Sequence, residues 1–237
     1  YRFHTNPYDP APLFRKEFTV NKVVRRASLY ICGLGYYELY LNGRRIGDHV
    51  LDPGWTDNNS RVLYVTYDVT EQLNKGGNAI GIMLGRGFPG SLVNDTWDFY
   101  KHSHQARMRM LLNIEYTDGT RTDIISEPGW KVTGGPVVFD CPYRGEVIDA
   151  RRERFGWNKA GFNASSWDSA VSSPAPAGEM TAQAIDPIRT KEEIRPQSVT
   201  NPKPGVYVFD FGKNISGWVR LKTSGPSGTE ILVRYSE

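Results

Sequence analysis

The feature that most constrains this chain is a strict two-residue alternation from position 106 to position 116. Ala106, Met108, Met110, Leu112, Ile114 and Tyr116 alternate with Arg107, Arg109, Leu111, Asn113 and Glu115. One face is apolar throughout and the other is mostly polar, which is the period of a β-strand packed on one side. Asp118-Gly119 then turns the chain into a second predicted strand over 120–126. The same pattern recurs earlier. Tyr37, Leu39 and Leu41 face one way while Tyr36, Glu38 and Tyr40 face the other, and Asn42-Gly43 supplies the positive φ of a two-residue hairpin turn. Helical periodicity is nearly absent. An aromatic fraction of 12%, with 24 Gly and 15 Pro, agrees with the all-β class.

Further strands are predicted over 14–20, 23–32, 61–67, 79–84, 130–133, 136–139 and 146–151. Upstream, Pro7, Pro10 and Pro12 read as an extended surface arm. Residues 68–73 read as one capped helical turn, with Asp68 or Thr70 accepting from free backbone amides. Residues 1–171 are therefore expected to form a jelly-roll-like antiparallel β-sandwich. The run Ser172-Ser-Pro-Ala-Pro-Ala-Gly178 marks a linker over 172–187. Residues 188–237, with strands over 206–211, 217–223 and 231–235, then begin a second sandwich. Three or four strands cannot close a core alone, so this second domain is expected to be incomplete. The chain starts at Tyr1 and stops at Glu237, directly after a strand-like run, which leads us to expect a piece of a longer polypeptide.

Several function classes find no support. The net charge is +3, and basic residues occur as scattered pairs, not as a stripe suited to nucleic acid. No apolar run reaches the roughly 18 residues of a membrane span. The compartment is left open. Cys32 and Cys141 read as buried thiols, with a disulfide as the alternative. His4, His49, His102 and His104 lack the cysteine spacing of a zinc site, and a third ligand for His102 and His104 is missing. There is no nucleophile elbow, and Gly85-Arg-Gly87 is too sparse for a phosphate loop.

Two constellations carry oxygen chemistry. Glu146, Asp149 and Glu153 read either as an acid/base set or as a salt-linked strand edge. The neighbouring Arg144, Arg151, Arg152 and Arg154 favour the second, because they hold carboxylates ionised, the wrong state for a general acid. The other constellation joins Asp52, Asp57, Asn58 and Asn59 of one loop to Asn94, Asp95, Trp97 and Asp98 of a long irregular segment over 85–105. Hard oxygen ligands suit calcium, which can bind sugar hydroxyls, and Trp55 or Trp97 could stack on a sugar face. The alternative is a set of Asx turns around packed tryptophans.

Three stretches resemble the N-terminal region of bacterial α-L-rhamnosidases. They are "ELYLNGRRIGD", "PGWTD" and "YVTYDVTEQL…GNAIGIMLG" between Leu29 and Leu84, "GEVIDARRERFGW…GFNASSW" from Gly145 to Trp167, and "PGVYVFDFGKNISGWVRLKTSGPSGTEILVRYSE" from Pro204. Together they cover roughly half of the chain, in the family's order. The resemblance implies two β-sandwich modules placed before an (α/α)-barrel in the same polypeptide. The acids of that barrel would hydrolyse terminal α-L-rhamnosides with inversion, so this chain would contribute no catalytic residue. It also implies rhamnose binding through calcium in the first sandwich, carried over to Asp57 and Asn58. Extended to the whole constellation, the expected sugar contacts are Trp55, Asp57, Asn58 and Trp97, and the expected metal ligands are Asp57, Asn58, Asn94 and Asp95. The chain departs from the family's pattern after "GWTD", where Asn58-Asn59-Ser60 replaces an aromatic, and at Phe88-Pro89. Three readings follow: a scaffold for a glycosidase, a calcium-dependent module for rhamnose-containing glycans, or an adhesion or protein-interaction sandwich.

Overall fold

The structure, a computed structural model, describes residues 10–87, 107–142 and 145–236. Among these no α-helix forms; the helical pieces are 3-10 turns at Thr70–Gln72 and Ala150–Arg152. The chain divides into two units, Tyr1–Ile188 and Arg189–Glu237.

The first unit is a two-layered sandwich. Its strands are β1 (Pro12–Val20), β2 (Val24–Leu34), β3 (Tyr37–Leu41), β4 (Arg44–Arg45), β5 (His49–Val50), β6 (Arg61–Asp68), β7 (Gly76–Leu84), β8 (Arg107–Tyr116), β9 (Arg121–Ile125), β10 (Lys131–Gly134), β11 (Val137–Cys141), β12 (Gly145–Ile148), β13 (Asp168–Ser169) and β14 (Glu179–Ala182). One layer has the order β13-β10-β1-β7-β3-β4, and the other β14-β6-β2-β8-β9. The inner faces of both supply one core, including Leu29 and Ile31 of β2, Leu39 and Leu41 of β3, Ile80 and Ile82 of β7, Leu112 and Ile114 of β8, and Trp130. Successive strand side chains point to opposite faces, so every second residue enters that core. The alternation in β8 does this: Met110, Leu112, Ile114 and Tyr116 are buried, while the residues between them are not.

The Asn42-Gly43 turn forms as expected, with φ of 55° and 82° at its two residues and Leu41 paired with Arg44. Positive φ at both central residues matches the right-handed twist of the strands it joins. The helical turn at Thr70–Gln72 also appears, with Asp68 Oδ1 accepting from Thr70 N at 3.0 Å. Both cysteines are buried free thiols, and burial pushes Cys32 up to about 11.

Three expectations need correction. Pro10 and Pro12 do not belong to a surface arm. Ala11 is buried, its amide donates to Val137 O at 2.8 Å, its carbonyl accepts from Gly135 N at 2.9 Å, and Pro12 opens β1; Pro7 lies outside the described residues. Residues 172–187 are more than a linker. They carry β14, which pairs in parallel with β6 (Glu179 to Arg61, Ala182 to Tyr64) and so extends a layer. In the second unit only Ser198–Lys203 and Val206–Asp210 pair as a hairpin. The strands expected over 217–223 and 231–235 are not formed among the described residues.

The outer face of the first layer is closed by residues 155–167. Arg15, 5% exposed, aims its guanidinium at three carbonyls of this segment: Trp157 at 2.8 Å, Phe162 at 3.2 Å and Lys159 at 3.0 Å. It also pairs with Glu17. Leu13, Ala164 and Trp167 form a second small core beneath it. Gly81 permits this approach: a Cβ there would lie 2.7 Å from Trp157 Cζ3.

Candidate functional site

The loop expected to carry sugar chemistry joins β5 to β6. It leaves β5 through Leu51, at φ 57°, a left-handed conformation that costs a branched L-residue of order 1 kcal/mol. A buried polar cluster holds it there. Asp52 is 3% exposed. Its Oδ2 lies 2.7 Å from His49 Nδ1 and accepts from Tyr67 OH at 3.2 Å. Its Oδ1 accepts from Gln183 Nε2 at 3.2 Å. Tyr37 OH lies 3.2 Å from Tyr67 OH. Burial raises both phenols, Tyr67 to about 12 and Tyr37 further, so both stay protonated and able to donate.

Two consecutive residues tie this loop to the start of the long segment after β7. Tyr37 N donates to Asp52 O at 3.1 Å, and Gly85 N donates to Tyr36 O at 2.7 Å. The two expected ligand-bearing stretches therefore leave the same end of the sandwich. The residues on either side of β14 add a third side: Gly178 N donates to Asn58 O at 3.0 Å, and Gly54 N donates to Gln183 Oε1 at 2.7 Å. A shallow groove beside the loop is lined by Gly33, Gly35, Tyr36, Pro53, Trp55 and Asn58.

Of the expected sugar-contact residues, Trp55 is 58% exposed at the lip of this groove. Asp57 is exposed and closes an Asx turn, its Oδ1 accepting from Asn59 N at 2.9 Å and its Oδ2 from Ser60 Oγ at 3.1 Å. Asn58 is half-buried beside it. Trp97, Asn94 and Asp95 lie outside the described residues, as do His102 and His104. Each Asp57 oxygen keeps a second lone pair, so the Asp57 carboxylate and the Asn58 amide are hard donors of the kind calcium takes. Among the described residues no group of three or more His, Cys, Asp and Glu side chains could hold a metal. A full coordination shell at Asp57 therefore needs main-chain oxygens, water, the sugar itself or residues beyond those described.

The other carboxylate set reads structurally. Asp149 caps the Ala150–Arg152 turn and takes both arms of Arg151, at 2.7 and 2.9 Å. These hydrogen bonds hold its carboxyl below the usual range. Glu146 goes the other way: burial, with Asp140 and Glu38 nearby, raises it. The Asp140 carboxyl, raised by burial, accepts from Arg86 N at 2.6 Å.

Sequence reasoning grouped Asp52 with the exposed ligands, whereas it lies beneath them. It passed over Tyr67 and Gln183. No local pattern marks Gln183, which meets Asp52 across 131 positions of chain.

Comparison with known proteins now bears on these loops. The model of the "Alpha-L-rhamnosidase N-terminal domain" family matches residues 22–192, and that of the "Bacterial alpha-L-rhamnosidase concanavalin-like domain" matches 200–237. An α-L-rhamnosidase of Formosa agariphila is 41% identical over 233 residues, which are 96% of this chain and 24% of that protein. One of Streptomyces avermitilis is 40% identical over 94% of this chain and 22% of its own length. The chain thus spans about a quarter of the length of these curated relatives. Among solved structures, an α-L-rhamnosidase from Dictyoglumus thermophilum superposes with a TM-score of 0.80 at 41% identity, covering 86% of this chain and 22% of that one. The S. avermitilis enzyme complexed with L-rhamnose superposes at 0.83 with 38% identity, covering 88% and 20%. With a match across most of its length and the same two-layered fold, this chain belongs to the α-L-rhamnosidase N-terminal domain family.

Proposed function

We propose that this chain is the non-catalytic, N-terminal support of an α-L-rhamnosidase. The enzyme would remove terminal α-L-rhamnose with inversion, using acids on a helical barrel elsewhere in the polypeptide. The observation that carries this reading is the pair of family matches in sequence order, over 22–192 and 200–237, within relatives about four times as long. Asp149 agrees with it, being held ionised in a capping and ion-pairing role. An assay of the purified chain on an aryl α-L-rhamnoside should give no turnover above a blank. Clear turnover would overturn the support role.

A second reading, added to the first, is that the Trp55–Asn58 loop binds a rhamnose unit of the glycan together with calcium. It is favoured by the exposure of Trp55 beside two hard oxygen donors on a loop that is otherwise firmly anchored. An apolar ring face next to oxygen ligands suits a 6-deoxy sugar, whose methyl end is apolar and whose hydroxyls can ligate an ion. Calorimetry with L-rhamnose should show heat in calcium and little after chelation. Asp57→Ala should remove it. Heat that persists in the Asp57→Ala variant would place the sugar elsewhere, and no heat in either buffer would leave scaffolding as the role.

A further inference from the structure

We infer that Gln183 is the positioning residue of the Leu51–Asn58 loop, reaching in from β14 to hold the loop in its binding shape. This rests on the reading of that loop as the sugar-contacting element. The argument begins with connectivity. Among the described residues the loop between β5 and β6 joins no sheet, and its backbone is held by single hydrogen bonds such as Tyr37 N to Asp52 O and Gly178 N to Asn58 O. The Gln183 side-chain amide adds two contacts, one to a loop side chain and one to a loop backbone amide. Its Nε2 donates to Asp52 Oδ1 at 3.2 Å and its Oε1 accepts from Gly54 N at 2.7 Å. These contacts sit two residues apart, on either side of Pro53 and directly before Trp55. One side chain thus satisfies a buried carboxylate oxygen and a loop amide together, and a primary amide does both without changing charge.

Gln183 is itself fixed. Its backbone N–H donates to Tyr64 O at 2.9 Å, extending the parallel β14–β6 pairing by one residue. The opposite side of Asp52 is held by His49 and Tyr67. The carboxylate is therefore braced from three elements: β5, β6 and the end of β14. Ile185 packs against the same turn, since a Cβ at Gly54 would lie 2.5 Å from its Cδ1. Neither Gln183 nor Ile185 belongs to the main sandwich core. Loss of the Gln183 contacts should loosen the loop while the two layers stay folded. The segment 172–187 then has a task beyond joining two domains, because its pairing on β6 delivers the side chain that shapes the loop.

The test compares the chain with Gln183→Ala and Gln183→Glu. Hydrogen exchange, read by mass spectrometry on peptides covering 51–58, should speed up roughly tenfold in Gln183→Ala, as two hydrogen bonds to the loop are lost. Peptides of β8 should be unchanged. Titration with L-rhamnose in calcium should weaken by a similar factor. Gln183→Glu keeps an acceptor for Gly54 but sets a second carboxylate against Asp52. Its loop should exchange fast at pH 7 and slow toward the parent rate near pH 4, where one proton is shared between the two acids. His49, Tyr67 and Tyr37, the other titratable groups facing Asp52, are present in parent and variant alike, so the difference between the two at each pH reports the new carboxylate.

Parent-like exchange over 51–58 in Gln183→Ala would overturn the inference, as would loss of protection in β8 to the same degree. If Gln183→Ala fails to fold, the ratio of Gln183→Glu exchange to parent exchange at each pH decides, and a ratio that does not change with pH refutes the role. If the parent chain takes up no L-rhamnose, the sugar reading fails alone, while the exchange rates still decide whether Gln183 holds the loop.

Discussion

Two stretches of this chain have the same strand chemistry and opposite fates. In β8, Leu112 and Ile114 are wholly withdrawn from water, and they meet Ile80 and Ile82 of the facing layer in one core. In the hairpin of the second unit, Tyr207, Val208 and Phe209 are 63%, 50% and 47% exposed, and Trp218 and Leu232 beyond it are 61% and 76% exposed. Side chains of equal hydrophobicity thus have a core to enter in one unit and none in the other. Alternation specifies which face of a strand wants to leave water; a second layer must be present before that preference becomes stability. The matched concanavalin-like region begins at residue 200 and runs to 237, a length at which three or four strands cannot supply both layers.

The sharpest way to break this contrast is to remove one large side chain from each unit. Trp130 is fully buried and its Nε1 donates to Ile125 O at 3.0 Å. Trp130→Ala should cost about 3–5 kcal/mol through the cavity it leaves and the carbonyl it orphans. That is a fall of roughly 10 °C in Tm at this chain length. Val208→Ala should change stability by less than about 0.5 kcal/mol. Thermal denaturation followed by circular dichroism measures both. A comparable loss from Val208→Ala would mean that the hairpin already has a core.

How far each feature could be read from the sequence follows from how locally it is determined. The Asn42-Gly43 turn, the β8 face and the helical turn after Asp68 depend on neighbours within a few positions, and all are where the residue pattern puts them, although Val69 and not Asp68 or Thr70 is the N-cap. β14 is different. Its residues, Glu179-Met-Thr-Ala182, show no strong strand bias, and they form a strand because β6 offers an unpaired edge in parallel register. Asp52 looked like a surface ligand because the loop around it is polar, yet what buries it arrives from 131 positions away. The arginines near Glu146 were informative for Asp149, which Arg151 does hold ionised, but not for Glu146, which burial raises instead.

Arg15 shows the same limit and provides the second prediction. In the sequence it is one charge in a strand; in the fold its three carbonyl partners lie more than 140 positions distant. Arg15→Ala leaves those three carbonyls without this donor beside a buried position. The cost should be about 2–3 kcal/mol, concentrated in residues 155–167. Arg15→Lys should recover little, because an ammonium cannot reproduce the planar fork that spans three acceptors. Limited proteolysis would show new cleavage between 155 and 167 while β2 and β8 stay resistant. Uniform cleavage across the sandwich would mean instead that the covering segment and the layers unfold as one body, which would make the contrast with the second unit still greater.

The smallest expected effect lies at the turn between β8 and β9, and its sign is set by ionisation. Asp118 Oδ1 accepts from Thr120 N at 2.9 Å and Thr120 Oγ1 at 2.6 Å, and its Oδ2 pairs with Lys22 Nζ at 2.9 Å. The hydrogen bonds from Thr120, with Lys22, hold this carboxyl well below its usual 3.8. A carboxyl depressed in the fold adds stability wherever the unfolded chain would also be ionised, which is above about pH 4. That contribution is lost as acid protonates the folded group. Asp118→Asn keeps an acceptor for Thr120 but loses the charge. It should therefore melt slightly below the parent at pH 7, and the gap should close as pH falls below 4. Because the group is fully exposed, the difference should also shrink in molar salt, where ions screen Lys22. A gap that widened in acid would show that the turn is held by something other than the Asp118 carboxylate, and that even the most local motif of the sandwich depends on the layers behind it.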